Sequence, residues 1–313
     1  MNKSSKILAA ACGFVTVAVG CAALVFWLRN ASNVNDPTYH GRHLSAWVGD
    51  LYFKTPPRTP AKSASTGETD MLNSPEIRAK AKEAVLAMGT NAIPYLLGEI
   101  RVLCGTWDKQ GGYSDSDSLK EATHRLENVR YAFKILGPVA KPAVPALAGW
   151  IREGDTAFIV CAADALTSID PEAAAETLTQ ALSNRDYFVR WMAADYLWAV
   201  RSNAEMAVPL LLQCLHDKSS DTNNPLFHVR EASARALGGI GKDSEIVVPA
   251  LIQTLQHDEY PSVRQCAARA LGDFHTNAVL AVPALYQAST NDADPVVCRA
   301  AVEALKRIQP AAP

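Results

Sequence analysis

Three strings decide the fold of this chain: VRWMAADYL (189–197), VREASARAL (229–237) and VRQCAARAL (263–271). Each begins with Val-Arg, ends with leucine, and has Ala or Ser four residues before that leucine. Apolar residues at this spacing are typical of an amphipathic helix. A small side chain at a fixed position lets neighbouring helices approach closely. The strings therefore predict a recurring helix that packs against its own copies.

The same pattern recurs along the chain at apolar pairs that each end a helical stretch. These pairs are Ala87-Met88, Ile135-Leu136, Ala165-Leu166, Tyr196-Leu197, Ala236-Leu237, Ala270-Leu271 and Ala304-Leu305. A second series opens Leu-rich runs at Ile93-Pro94, Val144-Pro145, Val208-Pro209, Val248-Pro249 and Val282-Pro283. Because proline is tolerated in the first turn of a helix, these prolines predict the starts of second helices. The sequence thus predicts about six to seven repeats, each of about 31–34 residues where uninterrupted, the seventh being complete or only its first helix.

Two polar insertions, Gly105–Leu119 and Asp217–Pro225, explain the longer intervals between repeats. The aspartates Asp186 and Asp294 stand just before predicted first helices, where a carboxylate can accept a hydrogen bond from a free backbone N–H. We therefore expect both residues to be N-caps.

The three strings and the Val-Pro-x-Leu runs that follow them resemble HEAT repeats of the bacterial phycobilisome-lyase-like type. The resemblance covers residues 76–313 and implies an all-α fold, a right-handed α-α superhelix or HEAT-repeat solenoid. Repeats one to three depart from it, because Lys80, Asn128 and Phe158 replace the valine and no arginine follows. In addition, TYHGRHLSAW (38–47) resembles the juxtamembrane segment of membrane-anchored bacterial HEAT proteins.

Residues 7–28 form an uncharged apolar stretch between Lys6 and Arg29, long enough for a helix to cross a bilayer. They predict one transmembrane helix. A cleaved signal peptide is the alternative, although its apolar region is normally shorter. Val19-Gly20-Cys21 also weakly matches a lipoprotein cleavage site. Lys3 and Lys6 narrowly favour a cytoplasmic N-terminus, which predicts a single-pass cell-membrane protein with its C-terminal domain outside the cytoplasm.

The remaining boundaries follow from composition and periodicity. Leu44, Trp47, Val48 and Leu51 recur with helical spacing and predict an amphipathic capping helix. The stretch after it is dense in Pro, Ser, Thr and Lys and predicts a flexible linker. The predicted segments are 1–6 (tail), 7–28 (transmembrane helix), 29–53 (juxtamembrane segment), 54–75 (linker) and 76–313 (HEAT-repeat domain).

Composition argues against several classes of protein. Thirty basic residues against 32 acidic ones leave no positive excess of the kind that nucleic-acid binding needs. The seven cysteines include no Cys-x-x-Cys motif, which argues against a metal site. Five of them lie in Ala/Leu-rich stretches and are expected to be buried core thiols; a disulfide between an unidentified pair is the alternative.

The sequence also favours a protein without catalysis. Deoxyhypusine hydroxylase resembles this architecture and holds two irons through paired His-Glu dipeptides, but no histidine here is followed by glutamate. His40 and His43 are expected to be surface residues rather than half of a metal site. Bilin lyases share such repeats, yet a shared fold does not transfer activity. We expect no cofactor, no metal and no small-molecule substrate. A HEAT-like enzyme or a lyase-type factor for metal-dependent protein modification is the alternative.

Candidate binding residues follow from the second helices. Gln180, Gln213, Gln253 and Gln287 share one position and predict a polar row along the concave side of the superhelix. The alternative is that glutamine is simply a good exposed helix former. Repeat four is rich in aromatic residues, and among them Trp191 is the one we expect to be an exposed anchor for a partner.

Arg190, Arg230 and Arg264 occupy one position of the first helices. They could form a basic stripe for an acidic partner, or pair with acidic and carbonyl groups of neighbouring repeats. Together these patterns predict a membrane-tethered scaffold, anchored through residues 7–28, that binds a protein or peptide through its solenoid surface. A purely structural tether is a third hypothesis.

Overall fold

The computed structural model describes residues 36–51, 75–109, 117–219 and 228–309. The predicted transmembrane segment, residues 7–28, and all of the predicted linker but its last residue lie outside these ranges. The described chain is mainly α-helical and divides near residue 145 into two compact halves, each treated separately below.

The described part of the N-terminal half contains a short antiparallel hairpin and four helices. In the hairpin, β1 (Thr38–Tyr39) pairs with β2 (Arg42–His43). The helices are α1 (Leu44–Gly49), α2 (Pro75–Met88), α3 (Ile93–Lys109) and α4 (Asp117–Leu136). Helix α1 packs against α2 and α4 and buries Leu44 and Val48. Short 3-10 turns, Gly89–Ala92 and Gly137–Ala143, follow α2 and α4.

The C-terminal half is a stack of helix pairs. Its helices are α5 (Val144–Glu153), which starts at the boundary, α6 (Thr156–Ile169), α7 (Pro171–Ala181), α8 (Tyr187–Val200), α9 (Val208–Cys214), α10 (Val229–Ile240), α11 (Ser244–His257), α12 (Pro261–Asp273), α13 (Val282–Asn291) and α14 (Pro295–Ile308). Turns of 3-10 helix, Arg201–Ala207 and His275–Ala281, precede α9 and α13. Repeats four, five and six are the pairs α8/α9, α10/α11 and α12/α13.

The first helices α8, α10, α12 and α14 pack against one another in succession. Each second helix packs against the first helix of the following repeat, as α11 does against α12. This is the solenoid-like packing that the repeat pattern predicts. The predicted small positions are fully buried between these helices, at Ala193, Ser233, Ala267 and Ala301.

Helix starts largely follow the sequence. Asp186 and Asp294 are confirmed as N-caps: their carboxylates accept hydrogen bonds from the backbone N–H of Phe188 (2.8 Å) and Val296 (2.7 Å). The Val-Pro rule fails at one place, because α11 begins at Ser244 and Pro249 lies inside it. Gly241 ends α10 in the left-handed conformation (φ 65°), which turns the chain within three residues and lets the next helix begin earlier.

The five cysteines of the described ranges form no disulfide with one another. Four of them, Cys104, Cys161, Cys214 and Cys266, are buried, and Cys298 is partly buried. Burial raises the pKa of Cys214 and of Cys266 to about 11, so both thiols stay protonated at neutral pH. The expectation of core thiols is therefore confirmed for these residues.

The predicted localisation needs correction. Within the described ranges, no helix is both long and apolar enough to cross a membrane. The longest, α4, has 20 residues but includes Lys120, Glu121, Arg125, Glu127, Arg130 and Lys134. This finding overturns the prediction of a single-pass cell-membrane protein with an outer C-terminal domain. A transmembrane helix before the solenoid, and the membrane-anchored subtype of the resemblance, are likewise unsupported.

A close contact between α10 and α12 generates a test of the stacking. A Cβ atom added at Gly238 of α10 would lie 2.7 Å from Ala270 Cα on α12, where the backbone has no room to give way. We expect Gly238→Ala to lower the free energy of unfolding by about 1–3 kcal/mol in urea titrations followed by circular dichroism.

The matched control is Gly149→Ala in α5, where the added Cβ meets no atom within 4 Å. Because alanine is a better helix former than glycine, we expect this change to be neutral or to stabilise by up to about 1 kcal/mol. Equal unfolding midpoints for the two variants would argue against close packing of α10 on α12.

Candidate partner-binding surface

The four predicted glutamines lie on second helices: Gln180 on α7, Gln213 on α9, Gln253 on α11 and Gln287 on α13. All four are exposed to solvent. Gln180 donates a long hydrogen bond (3.5 Å) to the Glu176 carboxylate. The amides of the other three make no side-chain hydrogen bond to another described residue. Each can therefore both donate and accept a hydrogen bond toward a partner.

Gln253 lines a cavity of about 390 Å³ between the end of α9 and the last turns of α11. Leu215, His216 and Lys218 border it on the α9 side, and His257 borders it on α11. Neither imidazole nor the Lys218 ammonium has an ion-pair partner among the described residues. The cavity thus combines an apolar wall with groups that can donate hydrogen bonds.

Gln287 lines a second cavity, of about 290 Å³, between α11 and α13. Gln256, Asn291 and the small Ala284 are also part of its lining. His257 borders both cavities, so the two openings adjoin along the second helices. We call the surface formed by these two cavities the second-helix groove; its lining includes Leu215, His216, Lys218, Gln253–His257, Ala284, Gln287, Ala288, Asn291 and Asp292.

Trp191 lies apart from this groove. It belongs to α8, a first helix, is partly buried and stacks on Phe188 with ring centroids 5.5 Å apart. The exposed tryptophan of α8 is Trp198, with 41% of its surface accessible. Trp198 borders a third cavity, of about 340 Å³, between the first helices. Sequence alone does not separate the two tryptophans, because they are seven residues apart and share a helix side.

The three arginines of the Val-Arg motif make ion pairs within their own repeats. Each Nε donates to an aspartate that follows the second helix of that repeat. The pairs are Arg190–Asp217 (2.7 Å), Arg230–Asp258 (2.7 Å) and Arg264–Asp292 (2.8 Å). Their side chains are at most 14% exposed, and Arg230 is only 2% exposed.

These arginines also connect one repeat to the next. Arg230 Nη1 donates to the backbone carbonyl of Asp217 (2.7 Å), and Arg264 Nη1 donates to that of Asp258 (2.9 Å). The pairs therefore form a continuous chain of contacts, the Arg-Asp ladder, through repeats four to six. This geometry supports the structural interpretation of the arginines over a basic stripe for an acidic partner.

The ladder shifts the acidity of its carboxyl groups. The hydrogen bond from Arg264 lowers the pKa of Asp292 below its ordinary value, against a smaller opposing effect of burial. For Asp217, burial raises the pKa, but hydrogen bonds from Arg190 and Ser219 together outweigh it, and the pKa is lowered. Both carboxylates are thus held ionised in the folded state.

The groove offers hydrogen bonding rather than an assembled set of reactive groups. Within the described ranges, no three His, Cys, Asp or Glu side chains stand together as metal ligands. His216 and His257 supply two imidazoles to one cavity. The buried Cys214 thiol, with its raised pKa, is a poor nucleophile.

Comparison with known proteins identifies the family of the repeats. The family model for HEAT repeats matches residues 144–225 and 222–306, slightly more than half of the chain. The phycocyanobilin lyase subunit alpha of Microchaete diplosiphon is 37% identical over 87 residues, which is 27% of this chain and 29% of that protein. The same subunit of Pseudanabaena tenuis (strain PCC 7409) is 36% identical over 87 residues, or 27% of this chain and 31% of that protein.

The chain therefore spans less than a third of the length of these curated relatives. Among solved structures, the crystal structure of an engineered protein has a TM-score of 0.46 and 24% sequence identity. The similarity covers 67% of this chain and 96% of that one.

The ladder predicts acid-sensitive stability. A carboxyl whose pKa is lower in the folded than in the unfolded state stabilises the fold above its unfolded pKa, near 4, and this contribution disappears as pH falls through the folded pKa. We expect Asp292→Asn to cost roughly 1.5–3 kcal/mol of unfolding free energy at pH 7. The difference from wild type should shrink steadily below about pH 4.

Urea titrations between pH 7 and pH 2.5 measure this difference. The control is Asp273→Asn, which removes an exposed ion pair with Arg307 (side chains 40% and 51% accessible) and should cost under about 1 kcal/mol. A difference between Asp292→Asn and wild type that stays constant with pH would exclude the proposed stabilising role of the ionised Asp292.

Proposed function

This chain belongs to the HEAT-repeat family, and from that premise we propose that it is a scaffold without catalytic activity that binds a protein or peptide partner along the second-helix groove. The observation that carries the proposal is the series of exposed glutamines, of which Gln253 and Gln287 line adjoining cavities. HEAT repeats commonly mediate protein interactions, which fits a groove of this kind.

The chemistry of the groove suits a polypeptide. An amide side chain can donate to a carbonyl and accept from an N–H, and a peptide backbone offers both groups at every residue. Amides that are evenly distributed over successive helices can therefore hold a segment of chain along its length. The Leu215 side and the small Ala284 add apolar contact.

The Arg-Asp ladder supports the same proposal, because it fixes the ends of the helices that carry the groove. Asp258 and Asp292 are ladder residues and also border the cavities. A surface that is already rigid loses little conformational entropy on binding. We infer that the groove is preorganised for its partner.

A lyase-type factor is the second candidate function, and the similarity to phycocyanobilin lyase subunits is the observation that favours it. It makes different predictions from a scaffold. Purified protein mixed with phycocyanobilin should then change the pigment's absorption spectrum, and metal analysis should find stoichiometric iron or zinc if a metal-dependent modification takes place. A scaffold requires neither result.

Site-specific photo-crosslinking tests the scaffold. A benzoylphenylalanine placed at Gln253 or Gln287 of the full chain, in cells of the native host, should yield a discrete covalent adduct identifiable by mass spectrometry. The control position is Glu303, which is exposed on α14 and lies outside the groove. Adducts of equal yield from Glu303, or no adduct from either groove position, would refute partner binding in the groove.

A double variant adds a quantitative test. Gln253→Ala with Gln287→Ala should weaken co-purification of the partner identified by crosslinking severalfold, while the unfolding free energy changes by less than about 0.5 kcal/mol because both side chains are exposed. Gln265→Ala, on the first helix α12, is the matched control and should leave recovery unchanged. A purely structural tether would tolerate both sets of changes equally.

A further inference from the structure

Three large apolar side chains are exposed at one repeated position. Met206, Ile246 and Leu280 each stand two residues before the Val-Pro pair of their repeat. Their accessible fractions are 56%, 55% and 76%. One exposed apolar residue is ordinary, but exposure of a large apolar residue at the same position of three consecutive repeats is a regular feature of the kind that an interaction surface has. We call these residues the apolar row.

The apolar row lies beside the glutamines. Met206, Ile246 and Leu280 each precede the glutamine of the same repeat by seven residues. In α11, which contains both Ile246 and Gln253, seven residues are two turns, so the two side chains share one face about 10.5 Å apart. Pro249, between them, is also exposed. The exposed face of α11 therefore has an apolar residue near its start and an amide two turns later.

The spacing across the repeats restricts the partner. The first helices of repeats four to six, α8, α10 and α12, pack directly on one another. Packed helices lie about 8–10 Å apart, so equivalent positions in successive repeats are expected to recur at about that distance. A partner α-helix presents one face every seven residues, or about 10.5 Å. An extended strand presents the same face at about 6.6 or 13 Å, which does not match.

Charge restricts the partner further. Asp243 and Glu245 are exposed next to Ile246 and have no cationic partner among the described residues. Glu205, next to Met206, is 3.6 Å from Lys242, so those two charges compensate each other. The neighbourhood of Ile246 is therefore acidic, and a partner with basic residues beside its apolar ones would be complementary.

We propose that the partner segment is a basic amphipathic α-helix with a large apolar residue at every seventh position. It lies across the second helices, with its apolar side on Met206, Ile246 and Leu280 and its adjoining polar side on the glutamines. This inference rests on the proposed function and specifies the chemistry of its partner.

Designed peptides test the proposal with the purified full chain. The probe is a fluorescein-labelled 21-residue Ala/Lys helix with leucine at every seventh position, and fluorescence anisotropy measures its binding. A peptide of identical composition with leucines at irregular spacing is the first comparison. A proline-rich peptide with leucine at every third residue is the second, since a polyproline helix repeats at about 9.3 Å. We expect the regular helix to bind at least tenfold more tightly than either.

Variants assign the binding to the apolar row. Met206→Gln, Ile246→Gln and Leu280→Gln should each weaken the regular helix about tenfold, because each removes one buried apolar contact. The matched control is Val302→Gln, an exposed apolar residue of α14 (41% accessible) outside the row, which should leave affinity unchanged. All four side chains are exposed, so circular dichroism should show unchanged folding.

The outcomes separate this inference from the function it rests on. Three results would each overturn the amphipathic-helix partner. The first two are equal binding of the regular and irregular peptides, and tighter binding of the proline-rich peptide than of the regular one. The third is a dimer of the chain in sedimentation velocity that is lost when Met206→Gln, Ile246→Gln and Leu280→Gln are combined. A crosslinked partner at Gln253 would still stand in those cases. Both proposals are wrong if neither groove position gives a crosslinked adduct and the control Val302→Gln weakens binding of the regular helix as much as the apolar-row variants do.

Discussion

The rest of the C-terminal half depends on one constraint: the buried guanidinium of Arg230 must have hydrogen-bond and ion-pair partners. Arg230 is 2% exposed, and leaving such a charge without partners would cost several kcal/mol. Its partners are the carboxylate of Asp258, which follows α11 in the chain, and the backbone carbonyl of Asp217, which follows α9. The arginine of one first helix therefore fixes the ends of two second helices, and repetition of this arrangement sets the order of the stack.

The ladder also explains the character of the candidate groove. Because Arg230 and Arg264 are neutralised internally by Asp258 and Asp292, the motif that looks most basic in the sequence contributes little free charge to the surface. The residues that remain exposed include the amide series and the apolar row, the two features on which the proposed recognition of a polypeptide rests. The Arg-Asp ladder and the proposed recognition surface therefore meet at Asp258 and Asp292, which pair with arginines and also border the cavities.

The periodic pattern predicted the helices, the small buried positions, two N-caps and the exposure of Gln253 correctly, because each depends on a short stretch of chain. It did not predict where α11 begins, because the left-handed Gly241 decides that, nor which tryptophan of α8 is exposed. It also missed the apolar row. The signal was present, a large apolar residue two positions before Val-Pro in three repeats, but helical periodicity does not give exposure at the turn where a second helix begins.

The similarity to lyase subunits covers only a short part of each chain. It spans 87 residues, the length of between two and three repeats, and repeats of one family share the features that stacking requires. Buried small residues, Val-Arg pairs and Val-Pro starts satisfy packing and hydrogen bonding whatever the protein binds. On the proposed function, exposed residues free of those requirements, such as Gln253 and Ile246, are the ones that contact the partner.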